Sequence, residues 1–248
     1  MGELMVVADA AALAEAGARL LLDVSEAAPQ HCIVGLAGGS TPKPLYERLA
    51  RPPYRQAIDW PSIDFVLGDE RFVAPNDPAS NAHMIRSCLF DHLDHDHAHL
   101  HAVPFEGLTI EQAAAAYEHT LKTLYRADTL DPARPLFDLC FLGMGDDGHT
   151  ASLLPGQSGI LEERSRWVVP VTEGRPEPRV TLTVPLLESA RLLVFIVTGA
   201  GKRAMLDRIL SGAETDVPAA RLRPHGRLLW LVDAAAAGRW APQDVSIA

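Results

Sequence analysis

A chain of 248 residues with a formal charge of −10 suits one large α/β domain or two small ones, and folding at this size buries about three quarters of the extended-chain surface. The acidic balance excludes nucleic acid and anionic membrane as partners, since both need a net basic face. An anionic ligand must therefore be held by a local cluster of cations. Cys32, Cys88 and Cys140 are odd in number and two of them lie in apolar, strand-like runs, which predicts buried free thiols and a reducing, cytoplasmic setting. Glu3 stands where a signal peptide carries positive charge, and Asp9, Glu15 and Arg19 interrupt the apolar stretch behind it. No window reaches the roughly 20 apolar residues needed to span a bilayer.

Along the chain, strand-like and helix-like patterns alternate, the signature of a parallel sheet with crossover helices. Leu4 to Ala8 reads as a strand, after which Asp9 caps an Ala- and Leu-rich helix that Pro29 ends. His31 to Ala37 is the next strand, and Pro44 to Ala50 a helix with proline near its first turn. Ile63 to Leu67 is a third strand, opening on Gly68, Asp69, Glu70 and Arg71. Asn81 to Leu89 and Thr109 to Tyr125 read as helices, the second favoured by its alanines and glutamates. Leu136 to Leu142 is a buried strand. Further strands are expected around Trp167 to Val171, Val180 to Val184, Leu192 to Thr198 and Leu228 to Val232, with a helix from Gly201 to Leu210 and a loop at Arg175 to Arg179. No repeat, low-complexity linker or composition break interrupts this order, so residues 1–248 read as a single α/β domain.

Polar residues concentrate in loops that follow strands, where parallel-sheet enzymes keep their chemistry. The run GLAGGSTP, Gly35 to Pro42, can turn backbone N–H groups and the Ser40 and Thr41 hydroxyls toward a phosphate at a helix start, or serve as a plain strand-to-helix turn. It has neither the Walker spacing nor that of a dinucleotide fingerprint. At the next strand end, Arg71 offers a planar donor fork for phosphate oxygens, and Asp69 suits a sugar hydroxyl or a proton transfer; a solvated charged turn is the plainer reading. Arg179 and Lys202 sit at loop or helix-start positions, Lys202 just after Gly199, Ala200 and Gly201. Each by itself is an ordinary surface cation; Lys202 and its helix start can also share one anion.

The most informative stretch is GMGDDGHTASLLPG, Gly143 to Gly156. Gly143, Gly145 and Gly148 permit positive φ and close backbone approach, while Thr150 and Ser152 are expected as N-caps of the turn that follows. His149 has Asp147 two residues before it, and a carboxylate beside an imidazole fixes the tautomer and leaves the other nitrogen basic. That combination makes a general base. By contrast, His92, His95, His97, His99 and His101 crowd one segment with intervening carboxylates and no cysteine nearby, which reads as a solvated loop rather than a zinc site. No G-x-S-x-G elbow occurs, and Ser40 has no evident base, so a serine nucleophile is not expected.

Five segments together resemble the 6-phosphogluconolactonase family: GLAGGSTP, the run DERFVAPNDPASNAHM from Asp69 to Met84, GMGDDGHTASLLPG, Arg179-Val180-Thr181-Leu182-Thr183, and GAGKR from Gly199 to Arg203. The likeness runs over nearly the whole chain in the expected order. It implies a Rossmann-like α/β fold, a mostly parallel sheet with helices on both faces. It also implies no metal, no cofactor and hydrolysis of 6-phosphoglucono-1,5-lactone to 6-phosphogluconate in the oxidative pentose phosphate pathway. By resemblance His149 is the base and Asp147 its companion. Arg71, Lys202, Arg179 and the loop of Gly38, Gly39, Ser40 and Thr41 hold the phosphate end, and Asp69 lines the sugar site. The partner is a small phosphosugar lactone, with a monomer favoured over an assembly. Glucosamine-6-phosphate deaminase is similar in fold, but there the position of Asp69 is followed by Glu and an aromatic, and a glutamate lies five residues past the loop histidine. Here those places hold Arg71 and Leu154, which favours the lactonase. A catalytically silent sugar-phosphate sensor would need an output module, and no basic helix-turn-helix segment flanks the domain.

Overall fold

In the computed structural model, which describes residues 2–28, 31–93 and 99–242, ten strands form two sheets. They are β1 Glu3–Val7, β2 Cys32–Leu36, β3 Ile63–Leu67, β4 Asp69–Arg71, β5 His99–His101, β6 Leu139–Gly143, β7 Val168–Val171, β8 Arg179–Leu182, β9 Leu192–Val197 and β10 Arg227–Asp233. The large sheet runs β1-β10-β9-β6-β2-β3-β5 with every pairing parallel. The helices are α1 Ala10–Ala27, α2 Lys43–Leu49, α3 Tyr54–Ala57, α4 Asn81–Cys88, α5 Ile110–Tyr125, α6 Ser158–Leu161, α7 Val184–Glu188, α8 Arg203–Leu210, α9 Pro218–Arg221 and α10 Ala234–Ala237.

Central strands of a sheet covered on both faces read as unbroken apolar runs, because neither face meets water. So β2 and β9 are buried at every position. Helix α1 starts where Asp9 Oδ1 accepts from the Ala12 N–H at 2.8 Å and buries Leu13, Ala14, Gly17, Ala18, Leu21 and Leu22 on one face. Gly17 lets α2 come close, since Leu45 fills the space its side chain would need. Helix α5 begins with a capping box between Thr109 and Gln112. The three cysteines are buried, as their apolar settings predict.

The second sheet departs from the expected architecture. Asp69–Arg71, read from sequence as a loop, is strand β4, and it pairs antiparallel with β8, which pairs antiparallel with β7. Nothing in a short charged run favours a strand; its partner does. Gly68 makes the junction: its N–H still bonds Leu36 O in the large sheet at 3.0 Å, while its carbonyl already accepts from the Leu182 N–H of the small one at 3.0 Å. Glu118 of α5 fixes the other side, accepting from the N–H groups of Trp167 and Val168 at 2.9 and 3.1 Å.

Of the histidine-rich segment, His95 and His97 lie outside the described residues. His99–His101 is not a loop but edge strand β5, with His101 Nε2 2.6 Å from Asp64 Oδ1. Pairing with β3 overrides the polar composition there. Among the described residues no group of histidine, cysteine and carboxylate side chains is arranged to hold a metal ion, and no helix is long and apolar enough to cross a membrane.

Candidate active site

The sheet order places β2, β3 and β5 on one side of the middle and β6, β9 and β10 on the other. The chain thus reverses its direction of winding between β2 and β6, and in open parallel sheets the crevice beyond the strand ends at such a reversal is the natural ligand site. A cleft of ≈ 210 Å³ opens there. Its walls are Gly38 to Thr41 after β2, Asp69 and Arg71 of β4, Asn81 of α4, Gly143 to Gly145 and His149 after β6, Arg179 of β8, and Lys202 before α8. Every sequence-predicted site residue except Asp147 lines it.

The β6 loop folds back on itself to present His149. Gly145 N–H donates to His149 O at 2.8 Å and Gly148 N–H to Gly145 O at 3.1 Å, so the turn is closed by its own backbone. A side chain at Gly145 would collide with the His149 ring, and Gly148 has φ 80°. Thr150 and Ser152 are not helix caps, contrary to the sequence expectation. Thr150 Oγ1 donates to Gly143 O at 2.9 Å, locking the loop to its strand, and Ser152 Oγ donates to Asp69 Oδ2 at 2.5 Å. The next helix starts only at Ser158, so those hydroxyls have no helix end to serve.

Asp147 stands behind His149. Its Oδ1 lies 2.5 Å from Nδ1 of the ring and also accepts from the His149 N–H at 3.0 Å. Burial opposes ionisation of Asp147, but the two bonds from His149 and the nearby Arg175 charge outweigh it and hold the carboxyl below its ordinary range. A proton on Nδ1 is the one this carboxylate can accept, and that tautomer leaves the Nε2 lone pair free.

The rest of the cleft is cationic and tightly braced. Arg71 Nη1 donates to Ala79 O at 2.6 Å. Arg179 Nη1 lies 3.6 Å from Asp69 Oδ2, and the buried Arg179 Nε has no hydrogen-bond partner. Burial pulls the Arg179 pKa down, with Asp69 opposing. Lys202 Nζ reaches Asp146 Oδ1 at 2.5 Å. Asp69 is 7% exposed and its carboxylate is already engaged by Ser152, Asn81 and Arg179. Its role is therefore first to brace the cleft. Glu70, read from sequence as one more loop charge, is buried and accepts from Arg71 N, Asn81 N, Ser80 Oγ and Ala82 N at 2.7, 2.7, 3.0 and 2.8 Å. It thereby caps α4 from the neighbouring strand. The cleft is locally positive although the chain as a whole carries −10.

Sequence reasoning missed Asn81, Ser152, Asp146, Glu70 and Arg175 as parts of this arrangement. Asn81 packs against Gly38 so closely that a side chain there would overlap its amide, a contact between segments far apart in the chain. Arg175 lies in the loop expected at Arg175 to Arg179, yet its Nη2 sits 2.9 Å from His149 Nδ1 and 3.3 Å from Asp147 Oδ2.

A parallel α/β sheet with an acid-supported imidazole and three cations in one cleft at its switch point is the layout of an enzyme for a small anionic molecule. Comparison with known proteins is specific. The family of glucosamine-6-phosphate isomerases and 6-phosphogluconolactonase matches residues 8–230. A 6-phosphogluconolactonase of Synechocystis sp. is 41% identical over 203 residues, 81% of each chain. The crystal structure of 6-phosphogluconolactonase from Thermotoga maritima superposes with TM-score 0.78 at 30% identity, covering 93% of this chain and 99% of that one. A monomeric glucosamine-6-phosphate deaminase superposes with TM-score 0.79 at 23% identity over 95% of this chain and 98% of its own, a likeness of fold alone. The chain belongs to the glucosamine-6-phosphate isomerase/6-phosphogluconolactonase family.

Proposed function

We propose that this chain is a cytoplasmic 6-phosphogluconolactonase that hydrolyses 6-phosphoglucono-1,5-lactone to 6-phosphogluconate with His149 as general base. The observation that carries the reading is the Asp147–His149 contact of 2.5 Å behind a cleft that His149 shares with Arg71, Arg179 and Lys202. The cations and the Gly38 to Thr41 loop hold the phosphate, which sets C1 of the lactone before His149. Water attacks the C1 carbonyl as Nε2 takes its proton. The C1–O5 bond of the tetrahedral adduct then breaks, and the imidazolium returns the proton to O5.

Gly145 and Gly148 spend their N–H groups inside the turn, so the oxyanion is stabilised by another backbone N–H or by a cation of the cleft. A lactone is an activated ester, and one positioned base contributes about 10² to 10⁴ in rate, so this small set of groups suffices. Leu154, where the deaminase pattern has a glutamate, is buried, which supports the lactonase.

The test is direct. His149→Ala is expected to lower kcat on fresh lactone at least about 100-fold with KM nearly unchanged. Arg71→Ala and Lys202→Ala instead raise KM. Wild-type kcat in the His149 variant removes the base, and ammonia release from glucosamine 6-phosphate without lactone turnover replaces the substrate.

A further inference from the structure

Nδ1 of His149 has room for one hydrogen-bond partner in the ring plane, and two groups compete for it. Asp147 Oδ1, an acceptor, is 2.5 Å away, and Arg175 Nη2, a donor, is 2.9 Å away. They demand opposite tautomers. If Nδ1 carries the proton, it donates to Asp147 and Nε2 is free to act on water. If Nδ1 accepts from Arg175, the proton moves to Nε2, and the ring can no longer take one from the cleft.

The conflict is resolved by the second carboxylate oxygen. Asp147 Oδ2 is an acceptor 3.3 Å from the same Nη2, so the guanidinium can bond there while Nδ1–H keeps Oδ1. Asp147 needs that support, because half of its side chain is exposed and solvent competes for both oxygens. With Oδ1 receiving His149 N and Nδ1, and Oδ2 receiving Arg175, the carboxylate is held at both ends. The segment that delivers Arg175 is itself braced. Gly174 adopts φ 81°, Gln157 Nε2 donates to Glu173 O at 2.9 Å, and Phe72 N–H donates to Pro178 O at 2.8 Å. Neither Arg175 nor Asp147 lines the cleft, so Arg175 acts through the pair rather than on substrate. The other charged side chains that share the cleft with His149 are Arg71, Arg179, Lys202 and Asp69.

We propose that Arg175 is a positioning residue that clamps Asp147 Oδ2 and thereby sets the His149 proton on Nδ1, leaving Nε2 competent as the base. The proposal rests on the reading of His149 as the base. The same stretch of chain thus supplies Arg179 to the cleft and Arg175 to the carboxylate behind His149.

The experiment compares Arg175→Ala and Arg175→Lys with the unmodified protein. Each is checked first by thermal denaturation, then by kcat and KM on fresh lactone and by long-range 15N–1H NMR of the His149 ring in the free protein. Arg175→Ala is expected to lose about 10- to 100-fold in kcat with KM within about twofold, as for outer groups that orient a reacting one. Its ring should shift from the Nδ1–H form toward a mixture with Nε2–H. Arg175→Lys, which keeps one donor, should recover part of both. Unchanged kcat with an unchanged tautomer overturns the proposal, and so does a raised kcat, which makes Arg175 an inhibitory contact. A raised KM at constant kcat also overturns it, making Arg175 a substrate-binding cation. Failure of the base reading is seen separately, as an active His149→Ala variant, whereas the tautomer measurement still reads Arg175.

Discussion

Glu70 provides the most demanding test of how this site is assembled. Its carboxylate is buried and accepts from three backbone N–H groups and one hydroxyl, two of the amides being the first donors of α4, which a helix cannot satisfy internally. Glu70→Ala leaves those donors without acceptors. Each unsatisfied buried donor costs about 1–3 kcal/mol, part of it relieved by water entering the vacated space, so a net loss of about 4 kcal/mol is expected. At about 2–4 °C per kcal/mol for a chain of this size, the Tm falls by about 8–16 °C. Because β4 and α4 also set Arg71 and Asn81, KM should rise as well. Glu70→Gln keeps an acceptor oxygen and should cost far less. Burial pushes the Glu70 carboxyl above its ordinary value, although its four bonds, all from donors, favour the charged form. The sign follows from that: a raised folded-state pKa gives stability that is full below the unfolded value and is lost as pH rises through the folded one. Glu70→Gln should remove that slope. Differential scanning calorimetry between pH 4 and 7 measures all of this. A Tm of Glu70→Ala within about 2 °C of the parent, or equal losses in the Ala and Gln variants, would refute the reasoning.

Gly148→Ala forces a β-carbon onto a residue at φ 80° and against the Val217 side chain; a loss of about 1–3 kcal/mol is expected in thermal denaturation, with kcat falling because His149 is the next residue. Gly39→Ala has the same backbone cost at φ 89° but open space around the new carbon, so its Tm should fall less, and a larger fall than at Gly148 would contradict the packing account. Burial pushes the Cys32 and Cys140 thiols up to about 12, so a thiol reagent at pH 8 should leave them unlabelled in the native protein and label them in denaturant. Rapid native labelling at either position would show that the core opens there.

The local chemistry of this protein is written in contiguous stretches of its sequence. Asp9 and Thr109 start helices, apolar runs mark β2, β6 and β9, and the glycines around His149 mark a turn at a strand end, because caps, periodicity and backbone freedom act over a few residues. For the same reason the Asp147–His149 pair was legible, two positions apart on one loop. What only the tertiary structure decided is every contact made across the chain. Asp69–Arg71 becomes a strand because β8 pairs with it. Ser152 braces Asp69 from 83 positions away, and Arg175 reaches Asp147 from 28. Hydrogen bonds and ion pairs depend on separation in space. A sequence orders residues by separation along the chain, so the braces that aim the reactive groups appear only once the two sheets are folded against each other.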